Sequence, residues 1–122
     1  MRAYTAATAA FTLKMPVKAL DNLLSHHTLS GVTKARQGVP RRLTVDAIVT
    51  LAIATHLTKA LHSPFGTAIK LAERARASPY MQLGQGLTLI VDINSLKQET
   101  LERLQQAVET VPTPRRGRPR RA

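Results

Sequence analysis

Basic side chains are concentrated towards the two ends of this 122-residue chain. Residues 1–42 contain seven lysines and arginines and one acid, whereas residues 81–111 contain two basic and four acidic side chains. The last eleven residues contain five arginines and no acid. The formal net charge of +11 is typical of proteins that bind a polyanion such as DNA, RNA or an anionic membrane surface. The chemistry that these residues offer is therefore the binding of phosphate groups.

Other residue types argue against several kinds of site. The absence of cysteine excludes disulfides, thiolate metal ligands and a cysteine nucleophile. The four histidines include no pair one helical turn apart, so we expect no metal and no cofactor. We also expect no enzyme, because the acids are spaced as on ordinary helix surfaces and no glycine-rich phosphate loop is present. With only two tyrosines and two phenylalanines, stacking on single strands is disfavoured, which leaves duplex DNA as the expected partner.

Residues 8–25 have apolar positions in two short stripes with helical spacing. The stripes are Ala9, Ala10 and Leu13, then Leu20, Leu23 and Leu24. Pro16 suits the first turn of the second helix, where its missing N–H costs nothing. Two helices joined by so tight a turn predict a helix-turn-helix, whose second helix lies in the major groove of DNA. An ordinary hairpin of two core helices is the alternative.

Five side chains of the second helix are predicted to face the major groove: Val17, Lys18, Ala19, Asp21 and Asn22. Asn22 is the best candidate to bind an adenine edge, and Lys18 to bind guanine or a phosphate. Asp21 has the wrong sign for DNA, so we expect it to contact a cytosine amino group or another side chain.

Residues 26–43 lack a helical stripe and contain glycines, a proline and β-branched residues around a basic centre. This composition predicts a β-hairpin with its tip near residues 34–38, and a solvated basic loop is the alternative. The basic side chains expected to hold this hairpin on the DNA backbone are Lys34, Arg36, Arg41 and Arg42.

The rest of the chain predicts two core helices, one strand and a final helix. Thr44 is a suitable N-cap for a mostly buried helix, and a second helix is expected from Phe65 to about Ala77. The alternation of residues 87–93 predicts a strand that pairs with the basic hairpin or with the same strand of a second chain. A last helix is expected to end near Val111, so residues 87–111 are predicted to form a homodimer.

The C-terminal residues 112–122 contain the sequence Arg-Gly-Arg-Pro, which is the core of the motif called an AT-hook. Gly117 allows a flat backbone in a narrow minor groove, Pro119 keeps the chain extended, and Arg116 and Arg118 reach along the groove floor. A disordered basic tail without sequence preference is the alternative.

The order of motifs resembles the winged helix-turn-helix of the MerR-like regulators over residues 4–77. The resemblance rests on a Tyr4-Thr5 opening, on apolar positions that fit the motif from Ala10 onwards, on a basic hairpin, and on the helix opening Thr44-Val45-Asp46-Ala47. Lys14 stands where that family's turn usually has glycine, so a left-handed backbone there would cost about 1 kcal/mol. The resemblance implies control of transcription by a dimer that binds DNA.

The predicted fold is therefore mainly α with a small β component: a winged helix-turn-helix, core helices, one additional strand and a C-terminal helix. The expected divisions are a DNA-binding domain at 1–77, a strand-helix dimerisation element at 78–111 and a disordered basic tail at 112–122. No apolar run approaches the roughly 20 residues of a membrane span, so we expect a cytoplasmic, nucleoid-associated protein with no membrane partner.

The expected function is sequence-specific binding of duplex DNA by a small dimeric transcriptional regulator, with no small-molecule substrate evident. One alternative is an architectural, nucleoid-associated or excisionase-like protein that uses the same parts to bend DNA. Another is a protein-interaction module whose charge serves only solubility.

Overall fold

The computed structural model describes residues 3–33 and 40–110. Within them are five helices and four short strands in the order βααβααββα. The helices are α1 (Ala6–Leu13), α2 (Val17–His26), α3 (Val45–Leu61), α4 (Phe65–Ala77) and α5 (Ile93–Thr110). The strands are β1 (Ala3–Thr5), β2 (Arg42–Thr44), β3 (Tyr80–Gly84) and β4 (Leu87–Ile90). The prediction of a mainly helical fold with a small β component is confirmed.

Helix α3 lies at the centre of the core and packs against α1, α4 and α5. It begins where the sequence predicted, because the Thr44 hydroxyl accepts a hydrogen bond from the Ala47 N–H at 3.2 Å. Its buried residues point in nearly every direction around the helix axis, as expected for a helix covered on most sides. On α4, Ala68, Ala72 and Ala75 are fully buried, and their small side chains allow the two backbones to approach closely.

Strands β1 and β2 pair antiparallel, with Tyr4 opposite Leu43, and each leads directly into a helix. The Thr5 hydroxyl caps α1 by accepting from the Thr8 N–H at 3.2 Å, as Thr44 caps α3. The short ladder therefore fixes where both helices begin. Leu43 is fully buried between them and the rest of the core.

The turn between α1 and α2 is closed by the backbone. The Met15 N–H donates to the Ala10 carbonyl at 3.0 Å and the Lys14 N–H donates to the Phe11 carbonyl at 3.2 Å, as in a Schellman motif. Lys14 has φ 59° and ψ 47°, the left-handed conformation expected at the position where the resemblance predicts glycine. The helix pair of residues 8–25 is thus present, with Pro16 immediately before α2.

The second β element differs from its prediction. The expected single strand at 87–93 is only four residues long, and it pairs with β3 rather than with the basic hairpin. The strands are joined by a two-residue turn in which Gly86 has φ 79°. The predicted pairing with the basic hairpin was wrong because residues 80–84, the actual partner strand, lack clear alternation around Gly84, where the register shifts.

Helix α5 packs its buried side against α1 and α3, so it shares one core with the first four helices. It begins at Ile93, where the Asp92 carboxylate accepts from the Ser95 N–H at 3.0 Å. Leu104 and Ala107 are buried, whereas Leu101 and Val108 remain exposed on another side. No helix within the described ranges is long and apolar enough to cross a membrane.

Candidate nucleic-acid interface

Helix α2 presents a polar face to solvent and is held from behind by leucines. Leu20 and Leu24 are buried one turn apart. Four of the five side chains predicted to face the major groove are exposed. They are Val17, Lys18, Ala19 and Asn22. Lys18 and Asn22 are also one turn apart, so both side chains point away from the core along a single stripe.

The C-terminal end of α2 is fixed against the start of α4. The imidazole of His27 lies 5.5 Å from the Phe65 ring, measured between centroids, in a tilted arrangement. A Cβ on Gly66 would come within 3.3 Å of the same imidazole, so the absence of a side chain there permits the close approach. Both ends of α2 are therefore positioned by neighbouring elements, by the turn after α1 at one end and by Phe65 of α4 at the other.

Residues 31–33 pair with β2 on the edge opposite β1. The Thr33 N–H donates to the Arg42 carbonyl at 3.0 Å, and the Thr44 N–H donates to the Gly31 carbonyl at 2.9 Å. The Arg42 N–H also donates to the Thr33 hydroxyl at 2.8 Å, which closes the base of the predicted basic hairpin. The antiparallel base of that hairpin is thus present, while the predicted tip at residues 34–38 lies outside the described residues.

Gly31 is the residue that allows this base to form. Its φ is +89°, and an added Cβ would overlap the Thr44 hydroxyl and lie 3.2 Å from the Cβ of Ala47. The hydroxyl that caps α3 therefore occupies the space of the missing side chain. This connection between the hairpin and α3 had no signal in the sequence beyond the glycine itself.

Arg41 joins the base of the hairpin to α2. Its guanidinium lies 3.4 Å from the Asp21 carboxylate and donates to the Ser25 hydroxyl at 3.1 Å. The Arg41 side chain is only 16% exposed, against 49% for Asp21. Asp21 therefore contacts another side chain, one of the two outcomes expected for it, and its charge is opposed next to the polar face of α2.

The two predicted phosphate-binding residues at the described base of the hairpin, Arg41 and Arg42, have different surroundings. Arg42 is exposed on β2, and no ion pair to it is found within residues 3–33 and 40–110. Arg41 is engaged with α2, which makes it a positioning residue as well as a predicted backbone contact. Lys34, Arg36, Arg116 and Arg118 lie outside the described residues. Sequence reasoning missed Ser25 and Thr33, although the one-turn spacing of Asp21 and Ser25 was a usable signal.

Candidate metal ligands do not cluster in the described part of the chain. No group of three or more His, Cys, Asp or Glu side chains there is arranged to hold a metal ion. His26 instead places its Nδ1 2.8 Å from the Asn22 carbonyl, within its own helix. In comparisons with known proteins, the chain matches no family model, no curated protein and no solved structure.

Proposed function

We propose that this chain binds duplex DNA sequence-specifically, as a small dimeric transcriptional regulator. Helix α2 would enter the major groove, and the hairpin of residues 31–44 would act as a wing on the phosphate backbone. The supporting observation is the Arg41 bridge, which holds the hairpin base against α2 while Lys18, Asn22 and Arg42 stay exposed. A resemblance to MerR-like regulators over residues 4–77 agrees with this arrangement.

The roles of the residues follow from their chemistry. The Asn22 amide can pair with adenine, and the Lys18 ammonium with guanine or a phosphate. Arg42 and the hairpin residues Lys34 and Arg36 would neutralise phosphates. The tail arginines Arg116 and Arg118 would add contacts in an A·T-rich minor groove, and pairing of two chains would present two such surfaces to one operator.

Titration of labelled duplexes by fluorescence anisotropy across a salt series tests this function. A bound site selected from a random DNA pool should bind more tightly than a scrambled duplex, and the logarithm of its affinity should fall linearly with that of salt. Absence of binding at low salt would contradict any DNA role. Equal affinity for selected and scrambled sites would instead support the architectural alternative.

Two matched variants locate the interface. Lys18→Ala should weaken binding about tenfold, while Lys97→Ala removes the same charge from α5 and should change it less than about twofold. Asn22→Ala should relax the preference at one base pair, at a cost of about 1–3 kcal/mol for the correct base. If Lys97→Ala is as damaging as Lys18→Ala, net charge rather than α2 carries the affinity.

A further inference from the structure

An open cleft of about 560 Å³ lies between the turn that joins α1 to α2 and the C-terminal half of α5. Phe11, Met15 and Pro16 line one wall, Arg103 and Gln106 line the other, and Lys14 lies at the same turn. The two walls come from distant parts of the sequence and are brought together by the packing of α5 on α1. Its size falls in the range of clefts that bind small organic molecules.

The wall formed by Phe11, Met15 and Pro16 is apolar. Phe11 is 44% exposed although its neighbours Ala10 and Thr12 are buried, so a phenyl ring is presented to solvent from an otherwise well-packed helix. Met15, which is half-buried, supplies an adaptable thioether beside it. Single exposed apolar side chains are common, but here they line a concave surface rather than a convex one.

Two cations border this apolar wall, and no acid is among the residues that line the cleft. The Arg103 guanidinium donates to the Glu99 carboxylate at 2.8 Å, and the other oxygen of that carboxylate lies 3.9 Å from His56 Nε2 on α3. Glu99 thus orients Arg103, whose fork retains further N–H donors. The exposed Lys14 ammonium takes part in no ion pair with any residue in the described ranges.

We propose that this cleft binds a small amphipathic anion, namely a carboxylate with an aliphatic or aromatic tail. The tail would cover Phe11 and Met15, and the carboxylate would accept hydrogen bonds from Arg103 and Lys14. The chain's own C-terminal tail is a poor occupant, because its five arginines carry the same sign as these two cations. Anion binding here does not require DNA, so it extends beyond the DNA-binding function and can fail separately from it.

Titration of the full chain with octanoate, followed by amide NMR shifts, tests this site. Shifts should concentrate at residues 10–17 and 103–108, and octanamide, which has the same tail without the charge, should bind at least about fivefold more weakly. Lys14→Gln should weaken octanoate binding by about fivefold, and Arg103→Gln by about tenfold. Because Arg103→Gln also releases Glu99, Lys14→Gln is the variant that leaves the contacts of α5 unchanged.

Lys97→Gln is the matched control, since Lys97 lies on α5, as Arg103 does, but outside the cleft. It should leave octanoate affinity within about twofold of the parent chain. Equal binding of octanoate and octanamide would overturn the proposal, as would equal losses in the Lys14 and Lys97 variants. Shifts confined to the exposed apolar hairpin at residues 80–90, or no shifts at millimolar octanoate, would overturn it as well.

Discussion

The two antiparallel hairpins of this chain differ in how completely the fold covers them. In the first, β2 pairs with residues 31–33 on one edge and with β1 on the other, and its Leu43 is fully buried. The β3–β4 hairpin instead leaves Leu87 and Ile90 63% exposed and Tyr80 66% exposed. The base of the first hairpin is therefore paired on both edges and carries the exposed Arg42, whereas the second hairpin has apolar surface that the described residues leave uncovered.

That apolar surface supports the proposed homodimer, and replacing it with charge should have the largest effect. Tyr80→Lys combined with Ile90→Lys, at two residues directly opposite each other on one face of the hairpin, should weaken self-association by about 3–5 kcal/mol, because unpaired ammonium groups would be buried in the interface. Sedimentation equilibrium at micromolar protein should then show a monomer that retains its helical circular dichroism. Both side chains are exposed in the single chain, so its fold should not be affected.

Leu61→Lys is the matched control for that experiment. Leu61 is a similarly exposed leucine, 45% accessible, at the C-terminal end of α3 rather than on the hairpin. It should leave the dimer intact. Persistence of a dimer in the double variant, or a monomeric parent chain at all concentrations, would show that the β3–β4 surface serves another purpose.

Adding a methyl group to one glycine of each hairpin, at a position of positive φ, should sharpen the contrast between them. Gly31→Ala should lower the free energy of unfolding by about 2–4 kcal/mol, since it combines a left-handed backbone with overlap at the Thr44 hydroxyl. Denaturant titration at constant protein concentration measures this loss.

Gly86→Ala is the counterpart in the exposed hairpin. Gly86 has a similar φ of +79°, but an added Cβ there would meet no atom within 4 Å. Only the backbone strain remains, so we expect a loss of about 1–2 kcal/mol. Equal losses at the two glycines would mean that contact with the α3 cap does not secure the basic hairpin.

Breaking the Arg41 bridge should have a smaller effect on stability than on DNA affinity. Arg41→Gln should cost about 1 kcal/mol of stability, because Asp21 is half exposed and water screens its charge. It should weaken DNA binding about tenfold, since the uncompensated Asp21 carboxylate would then face phosphates. Thermal unfolding and DNA titration of the same samples separate the two effects.

Asp21→Asn in the Arg41→Gln background is the control for that prediction. Removal of the carboxylate should restore part of the lost affinity if Arg41 acts by opposing the charge of Asp21. If affinity is not restored, Arg41 contributes through direct phosphate contact or through the position of the hairpin.

Local signals in the sequence were sufficient for most helices but not for the second hairpin. The Thr44 cap and the span of α4 were predicted correctly because caps and proline act within one turn. The alternation at 87–93 placed Leu87 and Val91 on one face, yet Val91 is buried and Leu87 is exposed. Where a strand leaves the body of the protein depends on packing between distant elements, which alternation alone does not encode.

The same distinction applies to the candidate interface. The exposed face of α2 could be predicted, since the spacing of Leu20 and Leu24 determines which side of the helix faces the core. The Arg41–Asp21 bridge and the cleft beside Phe11 could not be predicted, because each joins residues at least 20 positions apart. Nothing in the local pattern of either partner specifies the other.

Relieving the left-handed backbone at Lys14, in the turn between α1 and α2, should have the smallest effect on stability of the changes proposed here. Lys14→Gly should raise the free energy of unfolding by about 0.5–1 kcal/mol, because it relieves the Cβ contact at φ 59° but adds freedom to the unfolded chain. Lys14→Ala keeps the Cβ and should give no gain in stability, which separates backbone strain from the loss of a charge.

His62, with φ 53° at the end of α3, is the equivalent left-handed position away from α2. His62→Gly should therefore give a similar gain in stability without changing DNA affinity. A gain at His62 with none at Lys14 would mean that the Lys14 side chain stabilises the turn by contacts that offset its strain.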